Sequence, residues 1–92
     1  MKAVFLGTPD VAVPSLEALR AVAEVAAVIT QPDRPRGRSK TPRPPPVKDL
    51  AIELDIPVHQ PESSKEVAPM LRSIGGLDVA VIVAFGMLIR PE

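Results

Sequence analysis

Short apolar runs alternate along this chain with segments whose apolar residues recur at helical spacing. The runs predict four β-strands, over residues 2–6, 24–29, 56–60 and 78–85. The helical spacing predicts three helices, over 13–22, 48–54 and from a cap at Ser63 or Ser64 to Ser73. The chain therefore alternates strand and helix, apart from one long loop after the second strand.

This alternation indicates an α/β fold. Strands joined by helices need right-handed crossovers and form a parallel sheet. The last strand, 78–85, is apolar on both faces, as is typical of a central strand that helices cover on either side. The sequence therefore predicts half of a doubly wound sheet, with its ligand site at the carboxyl ends of the strands. Those ends are Gly7-Thr8-Pro9, Thr30-Gln31-Pro32-Asp33 and Phe85-Gly86-Met87.

Length and composition limit the chain to one small domain, residues 1–92. The absence of Cys excludes disulfides, thiolate metal sites and cysteine nucleophiles, and the single His excludes a site built from several histidines. The sequence also contains no Asn. No apolar run reaches the ~20 residues of a membrane span, and the N-terminus lacks the features of a signal peptide. We therefore expect a soluble, cytoplasmic protein without a metal.

A basic, proline-rich loop over residues 32–48 interrupts the alternation. The chain has 11 basic and 11 acidic residues, yet residues 34–48, here called the basic segment, contain six basic residues and no acid. They are Arg34, Arg36, Arg38, Lys40, Arg43 and Lys48. The prolines favour a stiff, extended chain without regular structure. Such a strip most often neutralises nucleic-acid phosphates; a solvated linker or another anionic partner is the alternative.

The turn after the first strand, Gly7-Thr8-Pro9, lacks the chemistry of a nucleotide site. A dinucleotide fingerprint needs three glycines and a P-loop needs a glycine-rich run, but only Gly7 is present. Pro9 also removes an amide hydrogen that could bind phosphate. A simple strand–helix turn is the alternative that the spacing favours.

The other candidate residues have structural explanations beside functional ones. Asp10 and Asp33 follow strands, where they serve as a helix N-terminal acid and a turn-former. His59 is the only imidazole of the chain and lies in the third predicted strand, so we expect it to be structural. The bulky residues of 85–89 suit core packing or an apolar pocket for a flat ligand.

Several of these motifs together resemble methionyl-tRNA formyltransferases. The matching residues are Gly7-Thr8-Pro9-Asp10, residues 13–19, Thr30-Gln31-Pro32-Asp33-Arg34-Pro35 and Gly37-Arg38. The match continues, in the same order, through Pro46-Val47-Lys48, Gln60-Pro61-Glu62-Ser63 and Val83-Ala84-Phe85-Gly86. The resemblance implies transfer of a formyl group from 10-formyltetrahydrofolate to the amino group of methionine on initiator tRNA, in translation initiation.

The resemblance also implies a fold and a set of site residues. It implies a formyltransferase-type Rossmann-like domain with sheet order 3-2-1-4. The basic segment falls on the family's inserted loop, which contacts the tRNA acceptor end, with Arg38 as the first candidate contact. Gly7, Thr8 and Pro9 form the active-site loop. The folate-binding candidates are Phe85, Gly86, Met87, Leu88 and Ile89.

The sequence departs from the family pattern at three residues, Val11, Ser39 and Pro45, where Phe, Gly and Ser are usual. The family's catalytic Asn and His lie in a motif beyond Glu92, so the isolated chain is expected to be inactive. The full enzyme is expected to be monomeric, whereas this chain, with no neighbour beside strand 78–85, is expected to self-associate. Two alternatives remain: a folate-dependent formyltransferase with another acceptor, against which the basic segment argues, and a stand-alone RNA-binding module.

Overall fold

A computed structural model of the chain describes residues 1–35 and 42–86. The strands are β1 (Lys2–Gly7), β2 (Glu24–Ile29), β3 (Arg34–Pro35), β4 (Pro42–Arg43), β5 (Val58–His59) and β6 (Val79–Val83). The helices are α1 (Val13–Val22), α2 (Pro46–Glu53) and α3 (Val67–Ile74). Single 3₁₀ turns, Asp10–Ala12 and Ser64–Glu66, precede α1 and α3.

Four of the strands form one parallel sheet. β1 pairs with β2 on one side and with β6 on the other, and β5 pairs with the far side of β2. The resulting order, β5-β2-β1-β6, confirms both the α/β class and the predicted order 3-2-1-4. Because all four strands are parallel, their carboxyl ends lie along one edge of the sheet.

Helices pack on both faces of β1 and β2, since successive side chains of a strand point to opposite faces. One core cluster lies against α1 and α2 and contains Phe5, Ala12, Leu16, Val28, Val47, Ala51 and Ile56. The other lies against α3 and contains Val4, Leu6, Ala27, Ile29, Val67 and Phe85. The two clusters hold the sheet rigidly enough to position the loops at its carboxyl edge.

The last strand of the sheet has a free edge and one uncovered face. β6 lies at the edge of the sheet, and only Val81 and Val83 pack against a core cluster, the one under α1 and α2. On the opposite face Ile82 is 54% exposed. α3 packs over β1 and β2 and leaves this face of β6 uncovered. Within the described residues β6 is therefore an edge strand with helices over one face, although its apolar pattern is typical of a strand covered on both faces.

The basic segment has regular structure at both of its described ends. β3 and β4 pair antiparallel, with Arg34 opposite Arg43 and Pro35 opposite Pro42. α2 begins at Pro46, inside the predicted loop, because a proline at the first helical position loses no hydrogen bond. The expectation that residues 32–48 lack regular structure is therefore wrong at these positions. Residues 36–41 lie outside the described residues.

The start of the third helix follows the predicted cap. The Ser63 amide donates to Oε2 of Glu66 at 2.9 Å, half of a capping box. Pro69 lies in the first turn of α3, where its missing amide hydrogen costs no helical bond. No helix within residues 1–35 and 42–86 is long and apolar enough to cross a membrane.

Candidate functional site at the carboxyl edge of the sheet

The turn after β1 lies at the centre of the carboxyl edge. A Cβ on Gly7 would come within 2.7 Å of Phe5 Cε2 and 2.9 Å of the Val83 carbonyl oxygen, so β1 and β6 approach closely only because this residue is glycine. The Thr8 hydroxyl donates to the Phe85 carbonyl oxygen at 2.8 Å. The predicted active-site loop thus fastens the end of β1 to the end of β6.

Gln31, two residues after the end of β2, makes a second connection to the same carbonyl group. Its side-chain Nε2 donates to the Phe85 carbonyl oxygen at 3.1 Å. Its backbone amide donates to Thr8 Oγ1 at 3.4 Å. The Phe85 carbonyl therefore accepts two hydrogen bonds, and the loops after β1, β2 and β6 are held together by one polar centre.

Gln60, just after β5, extends the connections to the fourth strand of the sheet. Its Nε2 donates to the Gln31 carbonyl oxygen at 3.2 Å and to Asp33 Oδ1 at 2.7 Å. The Asp33 carboxylate also accepts from Lys48 Nζ, at 3.1 Å and 3.3 Å for its two oxygens. We call the joined residues the carboxyl-edge network; its members are Thr8, Gln31, Asp33, Lys48, Gln60 and Phe85.

The ion pair of this network lies at the start of a helix. Lys48 is in the first turn of α2, where the partial positive charge of the helix end disfavours a cation. Asp33 supplies the compensating negative charge. The two side chains are 22% and 34% exposed, so water partly screens their attraction. The pair joins the residue that precedes the basic segment to the last residue of that segment.

The structure brings together part of the predicted tRNA-binding set. Arg34 and Arg43 stand opposite each other in the β3–β4 ladder, and the Arg43 side chain is exposed. Lys48 is engaged by Asp33. The other three candidates, Arg36, Arg38 and Lys40, lie outside the described residues.

The structure describes only two residues of the predicted folate-binding set, Phe85 and Gly86. Phe85 is 2% exposed and packs in the core cluster under α3, which agrees with the core-packing alternative for its ring. Gly86 is exposed at the carboxyl edge. Met87, Leu88 and Ile89 lie outside the described residues.

Sequence reasoning missed the roles of Gln31 and Gln60. Gln31 lies in the run that follows predicted strand 24–29, and Gln60 ends predicted strand 56–60, so both positions lie on the ligand side of the sheet. What no local pattern indicates is that each donates to the loop of another strand. Among the described residues, no group of three or more His, Asp and Glu side chains could hold a metal ion.

The fold and this edge define half of a doubly wound α/β domain, with a polar network at the strand ends and the paired strands β3 and β4 of the basic segment. No family model matches the chain. Over its full length it is 48% identical to the methionyl-tRNA formyltransferase of Heliobacterium modesticaldum, 53% to that of Moorella thermoacetica and 48% to that of Synechocystis sp..

These relatives confirm the resemblance seen in the sequence motifs. The chain is similar, along its whole length, to the N-terminal portion of methionyl-tRNA formyltransferases. It spans only 29–30% of the length of these relatives.

Proposed function

We propose that this chain forms the N-terminal part of an enzyme that transfers a formyl group from 10-formyltetrahydrofolate to methionyl-initiator tRNA. The observation that carries the proposal is the 47–53% identity along at least 97% of the chain with proteins bearing that name. The proposal places the enzyme in the cytoplasm, as a monomer that acts in translation initiation.

The acceptor side of the proposal rests on the basic segment. Antiparallel pairing places Arg34 opposite Arg43 in the backbone ladder, so two positions of the basic segment are neighbours. Contacts to a phosphate backbone are the usual task of such an arginine-rich strip. Arg36, Arg38 and Lys40 complete the proposed tRNA-binding set.

The donor side of the proposal rests on the end of β6. Gly86 is exposed beside the carboxyl-edge network, and we assign the segment that starts there, with Met87, Leu88 and Ile89, to the folate. The buried Phe85 ring packs in the core, so its part is to anchor this segment. The proposed donor site is bordered by the loop of Gly7, Thr8 and Pro9.

Formyl transfer needs an unprotonated amine, a general base and stabilisation of the oxyanion that forms on the formyl carbon. The chain has no Asn, and its only His, His59, pairs through its backbone with β2. We therefore assign binding surfaces to this chain and the proton transfer to the part of the enzyme for which the resemblance implies an Asn and a His.

A hybrid enzyme tests the proposal. In it, this whole chain replaces the matching N-terminal segment of the Moorella thermoacetica relative. We expect the hybrid to formylate methionyl-initiator tRNA with kcat/KM within about tenfold of the relative, a barrier change of ~1.4 kcal/mol. The chain alone should give no turnover. An inactive but folded hybrid, or a chain that is active alone, would contradict the proposal.

One observation, the clustering of six positive charges in the basic segment, also favours the second candidate, a stand-alone RNA-binding module. Filter binding of the chain to initiator tRNA separates the two. If about four of these charges contact phosphates, log affinity falls with log salt at a slope of about −3 to −4. Binding by the chain together with an inactive hybrid would favour the module.

A further inference from the structure

The turn that ends β6 has an unfavourable backbone conformation. Ala84 has φ of 50° and Gly86 has φ of 89°, both in the left-handed region, with Phe85 between them. Ala pays a steric cost there that Gly does not. Such a conformation persists only when its surroundings fix it, and strained turns of this kind cluster at functional sites.

Two side chains fix this turn through one atom, the Phe85 carbonyl oxygen. Thr8 and Gln31 donate to it at 2.8 Å and 3.1 Å, from the loops after β1 and β2. The described residues contain no cis peptide bond, so the amide hydrogen of Gly86 points opposite to this carbonyl, away from both donors. The two donors thereby set the orientation of the Phe85–Gly86 peptide.

Gln31 is also matched sterically to Gly86. A Cβ on Gly86 would overlap the Nε2 atom of Gln31, the same atom that donates to Phe85. A glycine is therefore required at residue 86 both for its φ angle and for the place that the Gln31 amide occupies. The exposed Phe85–Gly86 peptide and the half-buried side-chain amide of Gln31 therefore pack closely against each other.

We propose that Gln31 is a positioning residue for the formyl donor: it holds the Phe85–Gly86 peptide, whose Gly86 is exposed at the carboxyl edge, in the orientation that the donor binds. This inference rests on the proposed function, which assigns Gly86 to the folate site. Gln31 acts through the peptide, not by contact with the reacting atoms. Its loss should therefore weaken donor binding more than it slows the chemical step.

The test compares Gln31→Glu with the unchanged hybrid enzyme. Glu keeps the side-chain size but, when ionised, it cannot donate and repels the carbonyl. We expect KM for 10-formyltetrahydrofolate to rise about three- to tenfold, the scale of one lost hydrogen bond, with kcat and KM for the tRNA within about twofold. A merely structural role would lower the active fraction, and so kcat, at unchanged KM. That result would overturn the proposal.

Three further variants test the assignment. Thr8→Ser keeps the hydroxyl donor and should retain most of the donor affinity, whereas Thr8→Val should raise the same KM as Gln31→Glu does. Ser73→Ala removes an exposed hydrogen bond to Met70 within α3, away from the carboxyl edge, and should leave all constants unchanged. Equal effects of Thr8→Ser and Thr8→Val would contradict the role of the shared carbonyl.

A second measurement needs no activity, so it separates this inference from the proposed function. Thermal melting is compared for the hybrid and its Gln31→Ala, Gly86→Ala and doubly substituted forms. Because the Gln31 amide fills the place of the new methyl group, we expect the double variant to melt no lower than Gly86→Ala alone. Additive decreases in Tm would show that the two residues do not fit together, and would overturn the inference even if the hybrid were active.

Discussion

Lys48 and Asp33 form an ion pair across the base of the basic segment, with Lys48 Nζ 3.1 Å from Oδ1. The sequence predicted the lysine as an RNA contact and the aspartate as a turn-former, with no link between them. Their pairing closes the segment just outside the β3–β4 ladder, which ends with Arg34 opposite Arg43. The positive charge of Lys48 is therefore partly neutralised before any RNA binds.

This pairing predicts unequal effects of two charge removals on tRNA binding. Arg43→Ala should reduce the salt slope by about 1, as the loss of one phosphate contact does, whereas Lys48→Ala should change it little. Asp33→Asn, which frees the lysine and keeps an acceptor for Gln60, should steepen the slope by up to about 1. Filter binding to initiator tRNA over a salt series measures all three slopes.

The control for this series is Lys65→Ala. Lys65 is exposed on the Ser64–Glu66 turn, outside the basic segment, so its removal should not change the slope. Equal slopes for the Arg43 and Lys48 variants would mean that the ion pair opens when RNA binds, and the argument from neutralisation would fail.

Gly7 predicts a stability effect that is independent of catalysis. In Gly7→Ala the added methyl group would meet the Val83 carbonyl oxygen at 2.9 Å and Ala12 Cβ at 3.0 Å. The backbone of β6 cannot move away without breaking its pairing with β1, so we expect a loss of about 2–3 kcal/mol, as for an overpacked core. Urea unfolding followed by circular dichroism measures it. A loss below about 0.5 kcal/mol would show that the two strands can separate freely.

The larger elements were predictable because hydrophobic periodicity is local. The runs around Phe5, Val28 and Val81 identified three strands of the sheet, and helical spacing around Leu16 identified α1. Boundaries were less predictable where proline intervenes. Pro46 starts α2 rather than preceding it, since the first helical residue needs no amide hydrogen.

The carboxyl-edge network was not predictable because its partners are distant in sequence. Gln31 and Phe85 are 54 residues apart and meet only because β1 lies between β2 and β6. Periodicity indicated that Gln31 follows one strand and that Phe85 ends another, and the parallel topology placed both positions along one edge. Which side chain donates to which carbonyl depends on the left-handed turn around Phe85, and no local pattern encodes that conformation.

Asp55, just after α2, has φ of 59° and predicts a conformational effect at a second turn. Aspartate tolerates the left-handed region better than β-branched residues do. We expect Asp55→Val to lower the free energy of unfolding by about 1–2 kcal/mol, and Asp55→Gly to leave it unchanged or raise it by up to about 1 kcal/mol.

Glu53→Val is the matched control, because Glu53 is also an exposed acid but ends α2 in helical conformation. It should cost only about 0.5 kcal/mol, the propensity difference. The urea midpoints of the three variants measure these differences in the free energy of unfolding. Equal losses for the two valine variants would indicate a helix-propensity or charge effect in place of backbone strain.

The exposed face of β6 predicts self-association of the chain. Within the described residues, β6 pairs only with β1, and its other edge is a row of uncharged residues with Ile82 54% exposed. A free, β-branched edge without charge favours pairing with another chain, and lysine on such an edge prevents it.

We expect the chain to self-associate and Ile82→Lys to shift it to monomer. Ile52→Lys changes a residue of similar exposure, 58%, but on α2, which has no free backbone edge, so association should persist. Sedimentation at rising concentration, followed by peptide absorbance because the chain lacks Trp and Tyr, distinguishes them. A monomeric unchanged chain, or equal effects of the two lysines, would show that β6 is not the contact.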